Sequence, residues 1–239
     1  MKKPLAGRKA LVTGGTRGIG RAIAERLRDA GARVTVTGTR PRAEAPRDCA
    51  YEAVDFADDA AAEEFASRAA RAGYAVLVNN AGVNKIGPFA KTVPADFDLI
   101  QRVNVRAPFL LCRAVLPGMT RAGWGRIVNV SSVFGVVSKE NRGPYSASKF
   151  ALDGLTAALA AEAAASGVLA NCVAPGFVDT DLTRRVLGVE GMKALARRVP
   201  IRRLAKPDEI AAFVSWLCGP ENTYISGQNL VIDGGFSRT

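Results

Sequence analysis

Tyr145 and Lys149 stand four residues apart in Tyr145-Ser146-Ala147-Ser148-Lys149. In a helix that spacing puts a phenol and an ammonium on one face, one turn apart. A phenol can hand a proton to an alkoxide, and a neighbouring cation makes the tyrosinate left behind less costly. Alone the match is cheap, since about 0.15 such pairs arise by chance in a chain of this composition. Its weight comes from Ser132, just past the apolar run Arg126 to Val130 (RIVNV). A hydroxyl there lies at the C-terminal edge of a strand, where open α/β sheets bind ligands.

What the chain lacks narrows the chemistry further. Its 239 residues contain no histidine, which removes Ser/His/Asp and Cys/His nucleophile systems and every imidazole metal site. Proton transfer must then use Tyr, Lys, Cys or carboxylates. Cys49, Cys112, Cys172 and Cys218 form no CxxC pair, so neither a disulfide framework nor a thiolate metal site is expected, and a reducing cytoplasmic location is the default. No signal-peptide core and no apolar run of membrane-spanning length occurs, so no membrane role is expected. The formal net charge is +11. Its arginines are scattered without interleaved aromatics, which argues for a solvated surface and against nucleic-acid binding.

A second constellation opens the chain. Thr13-Gly14-Gly15-Thr16-Arg17-Gly18-Ile19-Gly20 joins an apolar strand to a helical pattern. Glycines in that place let backbone N–H groups approach a pyrophosphate at the helix N-terminus, so a dinucleotide cofactor is expected. An NAD site places a carboxylate at the end of the second strand, to bind the ribose 2′-hydroxyl. Here that strand ends Thr37-Gly38-Thr39-Arg40, and no carboxylate occurs between Asp29 and Glu44. Arg17 and Arg40 suit a 2′-phosphate instead, predicting NADP(H); the alternative is that Arg40 is one more solvated loop arginine.

These residues need a frame that repeats. Strands are predicted at 9–13, 33–37, 50–54, 75–78, 126–130, 169–174 and 229–232, several with the continuous hydrophobicity of strands covered on both faces. Helices are predicted at 19–30, 58–72, 94–105, 108–121, 145–166 and 207–218, with Pro94 and Pro207 in first turns. The alternation predicts one α/β domain over 1–239: a Rossmann-type doubly wound sheet of about seven parallel strands with helices on both faces. Residues 176–206 break the rhythm, have no strand pattern and are expected to form a substrate lid.

With these motifs in order, the sequence resembles the short-chain dehydrogenase/reductase family along nearly its whole length: TGGTRGIG, Asn79-Asn80-Ala81-Gly82, Asn104, Ser132, Tyr145 with Lys149, and Pro175-Gly176. The resemblance implies an NAD(P)-dependent oxidoreductase with Tyr145 as proton donor. Ser132 would then hydrogen-bond the substrate oxygen, Lys149 and the positive nicotinamide of the oxidised cofactor would together lower the phenol pKa, and Lys149 would also hold the nicotinamide ribose. Asn104 would anchor a water that relays protons to Lys149. In the same way Asp55, beside Phe56, would accept from the adenine amino group. Asn80, Ala81 and Gly82 would line the adenosine ribose, and Val178 and Thr180, after Pro175-Gly176, would hold the carboxamide.

Within the family the sequence is most similar to 3-oxoacyl-(acyl-carrier-protein) reductases, on Ala174 to Thr183, Ile225-Ser226-Gly227-Gln228 and Asp233-Gly234-Gly235. That likeness implies a ketone substrate carried as a thioester, an acidic acyl carrier protein as partner, which a basic enzyme suits, and a homotetramer. Where such reductases carry carrier-docking arginines, this chain has Gly123 and Ser166. The charged segment Ser138-Lys139-Glu140-Asn141-Arg142 would instead serve a polar substrate such as a sugar or polyol. A cofactor-binding regulatory protein without turnover is the alternative outside enzymes, and the intact Ser132, Tyr145, Lys149 and Asn104 set argues against it.

Overall fold

The apolar runs become strands with neighbours on both sides. In a computed structural model describing residues 3–239, they are β1 (Lys9–Val12), β2 (Arg33–Gly38), β3 (Ala50–Ala53), β4 (Val76–Asn79), β5 (Gly125–Val130), β6 (Val168–Pro175) and β7 (Asn229–Ile232). They form one sheet in the order β3-β2-β1-β4-β5-β6-β7, every pair parallel. Every residue of β5 and β6 is buried, as expected of strands covered on both faces.

Helices α1 (Gly18–Asp29) and α7 (Pro207–Leu217) cover one face, where Ile23, Leu27, Ile210 and Val214 meet Val12, Val36 and Val78. On the other face α2 (Asp59–Ala72), α4 (Ala107–Arg121) and α5 (Gly143–Ala163) pack Phe65, Leu111, Val115 and Ala160 against Leu77 and Ile127. Arg26 on α1 grips Asp208 on α7 through two hydrogen bonds of 2.6 and 2.5 Å. The doubly wound α/β architecture is therefore observed. Strand order reverses between β1 and β4, so their C-terminal ends diverge and leave the crevice in which such sheets bind ligands.

Two segments differ from the sequence expectation. The helices at 94–105 and 108–121 are one run: α3 (Pro94–Gln101) passes into α4 through a π-helical turn, Arg102–Arg106. Pro108 has no N–H for the carbonyl of Asn104, and the Ala107 N–H reaches back five residues to Arg102; the chain thus widens by one residue rather than breaking. The second segment is 176–206, the stretch expected to form a lid. It contains α6 (Asp181–Arg197), capped by the Thr180 side chain on Thr183 N–H at 3.2 Å and interrupted at Gly188, whose φ of 63° and ψ of −178° only glycine adopts readily. Before and after α6, Val178 and Ala205 form a parallel bridge that closes the base of this segment.

Candidate active site

The glycine turn after β1 is fixed from β4. Asn80 donates from its side chain to the carbonyls of Thr13 and Gly14 at 2.9 and 3.1 Å, while Thr13 Oγ1 accepts the N–H groups of Asn80 and Ala81. A Cβ on Gly14 would lie 3.0 Å from Ala81 Cα, and one on Gly20 would lie 2.4 Å from the Gly14 carbonyl. These glycines are required by close backbone approach. Gly18, with φ of 55°, instead faces across the crevice to Thr180 Cγ2, 3.6 Å from where its Cβ would be. Bare backbone at a helix N-terminus, walled by Thr180, is a cradle that fits a pyrophosphate.

At the end of β2, Gly38 packs beside Thr16, and Tyr51 donates its hydroxyl to the Arg40 carbonyl. Thr39, Arg40 and Arg17 are exposed around this corner, and neither guanidinium forms an ion pair among the described residues. Asp55 is exposed just after β3, one carboxylate oxygen accepting the Ala57 N–H at 2.9 Å.

Several expected cofactor contacts are committed to the fold through their side chains. Phe56 is buried edge-on against Phe65, so only its backbone can face a ligand. The Asn80 amide holds the glycine turn, and Thr180 caps α6. The side chain of Val178 lies in the core, yet the bridge to Ala205 uses the Phe177 carbonyl and the Asp179 N–H. That leaves the Val178 N–H pointing away from the bridge. Pro175 ends β6, and Gly176 passes so near β7 that a Cβ would meet Asp233 Cα at 2.7 Å.

Ser132, Tyr145, Lys149 and Asn104 converge at the ends of β4 and β5. Ser132 is buried and accepts the Phe134 N–H at 3.2 Å. Neighbouring Ser131 turns inward to the Lys149 carbonyl at 3.1 Å, which leaves Ser132 as the hydroxyl facing the phenol. Lys149 Nζ, buried, donates to the Val130 carbonyl at 2.8 Å and lies 5.6 Å from the Tyr145 ring centroid. Asn104 is fully buried; its side chain bonds both the N–H and carbonyl of Val83, at 2.8 and 2.9 Å, and the Ser148 hydroxyl at 3.0 Å. The π-turn thereby sets Asn104 beside Gly82 and Lys149, each within about 4 Å of one point.

Burial pushes the Tyr145 phenol above its ordinary value, while its hydrogen bond with Ser132 and the charge of Arg142 pull it back. Burial also lowers the Lys149 ammonium, to about 8, because a charge sealed among apolar groups loses its hydration. The protein's own groups thus keep the proton on the phenol at neutral pH.

Sequence comparison agrees with this arrangement. A family model described as enoyl-(acyl carrier protein) reductase matches residues 14–237. The 3-oxoacyl-[acyl-carrier-protein] reductase FabG of Aquifex aeolicus is 38% identical over 247 residues, 98% of this chain and 99% of its own. The chain belongs to the short-chain dehydrogenase/reductase family. The acetoacetyl-CoA reductase of Allochromatium vinosum is 36% identical over 241 residues, 95% of this chain and 98% of its own. A solved gluconate 5-dehydrogenase from Burkholderia cenocepacia, in complex with NADP and tartrate, superposes with a TM-score of 0.89 at 30% identity, over 100% of this chain and 98% of that one. As a short-chain dehydrogenase/reductase, the protein is an oxidoreductase.

The sequence reading took Arg142 only as part of the charged run Ser138 to Arg142. Arg142 opens α5 three residues before Tyr145, and its charge acts directly on the phenol. The one signal available was the charged run Ser138 to Arg142, which carries no hint of which charge stays unpaired.

Proposed function

We propose that the protein reduces a ketone with NADPH. The observation that carries this reading is the placement of Lys149 Nζ 5.6 Å from the Tyr145 ring centroid and beside Asn104 and Gly82, with Ser132 just past the end of β5. The bound cofactor would supply the hydride, with Arg17 and Arg40 facing its 2′-phosphate and Asp55, Ala81, Gly82 and Val178 along its length. The Ser132 hydroxyl would donate to the substrate oxygen and orient it. As hydride reaches the carbonyl carbon, the C=O pair moves onto oxygen and Tyr145 gives up its proton there. Lys149 would then face the tyrosinate. The Asn104 carbonyl, left without an α-helical partner by Pro108, would hold the water that returns a proton from solvent. A phenol held protonated suits reduction, where it must donate, better than alcohol oxidation, where it must accept.

A 3-oxoacyl thioester is the substrate class supported by the relatives, and the +11 charge suits an acidic acyl carrier protein. Gly123 turns with φ of 64° and its carbonyl packs against Gly167; the guanidinium at this corner, that of Arg126, is buried and bonded to the Gly125 and Gly167 carbonyls. Arg121 and the Arg184 to Arg203 region are the available docking charges. A sugar or polyol substrate is the second reading, favoured by the charged Ser138 to Arg142 run. Exposed Phe97, Phe109 and Phe150 on α3, α4 and α5, with Trp216 and Tyr224 elsewhere, support a homotetramer; a monomer mass by light scattering would refute it. Among the described residues no helix is long and apolar enough to cross a membrane, and four unpaired cysteines support a cytoplasmic setting. NADPH oxidation with acetoacetyl thioesters, oxidised sugars and simple ketones tests the reading. Turnover of a ketone is expected, and NADPH binding without turnover on the whole panel would overturn it.

A pH profile isolates the lysine. The ammonium is charged below its pKa of about 8 and neutral above it, where it no longer offsets the tyrosinate. For reduction, kcat/KM is therefore expected to fall about tenfold per pH unit above pH 8. With no histidine, and with buried Cys112, Cys172 and Cys218 pushed up to about 12, 11 and 12, no other group described in the core titrates near that value. A profile flat to pH 9.5 would contradict the assignment. The stability sign is the same physics: folding expels this proton, so stability rises between about pH 8 and the unfolded lysine pKa of about 10.4.

A further inference from the structure

Arg142 stands where its charge has no answer from the protein. Its guanidinium lies 5.4 Å from the Phe134 ring centroid, and its Nε and Nη1 are buried without an acceptor. The nearest acidic neighbour in sequence, Glu140, pairs instead with Lys139. Among the described residues no carboxylate comes within ion-pair distance of Arg142. Several exposed arginines of this protein do find partners: Arg184 forks onto Asp179 at 2.6 and 2.9 Å, and Arg203 onto Glu209 at 2.7 Å twice. A guanidinium withdrawn from water and left unpaired is costly, and such costs persist where a ligand offsets them.

Its position says which ligand. Phe134 follows Ser132 by two residues and donates its N–H to the Ser132 hydroxyl oxygen. Arg142 precedes Tyr145 by three residues and acts on its phenol. From Phe134 an edge-to-face ladder runs through Phe177 at 6.1 Å to Phe236 at 4.8 Å, where Arg198 lies 6.0 Å from the last ring. The substrate side of the crevice is thus an apolar wall with one unpaired guanidinium beside the reacting groups. We propose that Arg142 anchors a carboxylate of the substrate, so that the ketone reduced at Ser132 and Tyr145 belongs to a keto acid. A planar guanidinium matches a carboxylate in geometry and charge, and one arginine suits a monoanion. The inference rests on carbonyl reduction at this site. It moves the substrate toward oxidised sugar acids and other keto acids, because a 3-oxoacyl thioester sets no anion beside its ketone.

The test compares 4-oxopentanoate with its methyl ester, in which one added methyl group removes the negative charge. Wild-type enzyme with NADPH is expected to prefer the acid at least tenfold in kcat/KM, chiefly through KM. Arg142→Gln should erase that preference and Arg142→Lys retain part of it, both keeping the wild-type Tm within a few degrees. The acid-to-ester ratio cancels any shared effect of Arg142 on the phenol. Equal losses on acid and ester, or no wild-type preference, would overturn the inference, and acetoacetyl thioester turnover would then leave carbonyl reduction standing. If no ketone is turned over, that reading fails instead. Calorimetry of 4-oxopentanoate on the NADPH-loaded protein then decides, with Arg142-dependent binding upholding the anchor and its absence overturning it.

Discussion

Tyr145→Phe is expected to lower kcat for ketone reduction by about 10³-fold, in the range that loss of a general acid produces. The change removes one oxygen and little else. The ring stays at the start of α5 with Lys149 Nζ 5.6 Å from its centroid, and Lys149 keeps its bond to Val130. Binding of NADPH, read by fluorescence, should therefore survive within about threefold, and KM should move less than kcat. The size of the effect follows from what remains. No histidine exists to take over, Ser132 is an ordinary hydroxyl whose proton is far less acidic than a phenol's, and Lys149 is turned toward a carbonyl. A variant within tenfold of wild type would mean that the proton comes from elsewhere and that the mechanism is wrong.

What the sequence could and could not reveal divides along the reach of the forces involved. Strands were legible because continuous runs such as Arg126 to Val130 are local signals for burial on both faces, and β5 forms with all its residues buried. Tyr145 and Lys149 were legible because a helix fixes i, i+4 neighbours without tertiary help. Helix α6 was missed although Thr180 and Asp181 spell an N-terminal cap; its glycines and scattered arginines leave no apolar face to read. The π-turn had a local cause in Pro108. Its position at Asn104 is fixed by bonds to Val83, 21 residues away.

Charge pairing is tertiary in the same way. Arg26 finds Asp208 across 182 residues, while Arg142 finds no carboxylate among the described residues, and nothing in the composition separates the two. The direction of the Tyr145 shift belongs with them. Spacing suggests a cation beside the phenol, whereas burial of both groups decides the outcome: it raises the phenol and weakens the cation. A local pattern can place two groups on one face, but only the surrounding structure sets the dielectric in which they interact.

Cofactor choice should respond to the same kind of change. In the Arg17→Ala, Arg40→Asp double variant, the ratio of kcat/KM with NADPH to that with NADH is expected to fall by at least 100-fold. The estimate starts from charge-assisted hydrogen bonds worth about 1.5–3 kcal/mol each. Two lost guanidinium contacts amount to about 3–6 kcal/mol, or 10²- to 10⁴-fold at about 1.4 kcal/mol per decade. Because both side chains are exposed, solvent screening places the result toward the lower end. The new carboxylate at position 40 repels a 2′-phosphate and can accept from a 2′-hydroxyl, the group that an acidic residue at the end of the second strand recognises. Stability should hardly change, since the Arg40 backbone, not its side chain, receives the Tyr51 hydroxyl. Higher salt should narrow the wild-type preference for NADPH, as expected of an exposed ion contact. A wild-type enzyme at least tenfold better with NADH, or a double variant whose ratio moves less than threefold, would show that these two arginines belong to the solvated surface.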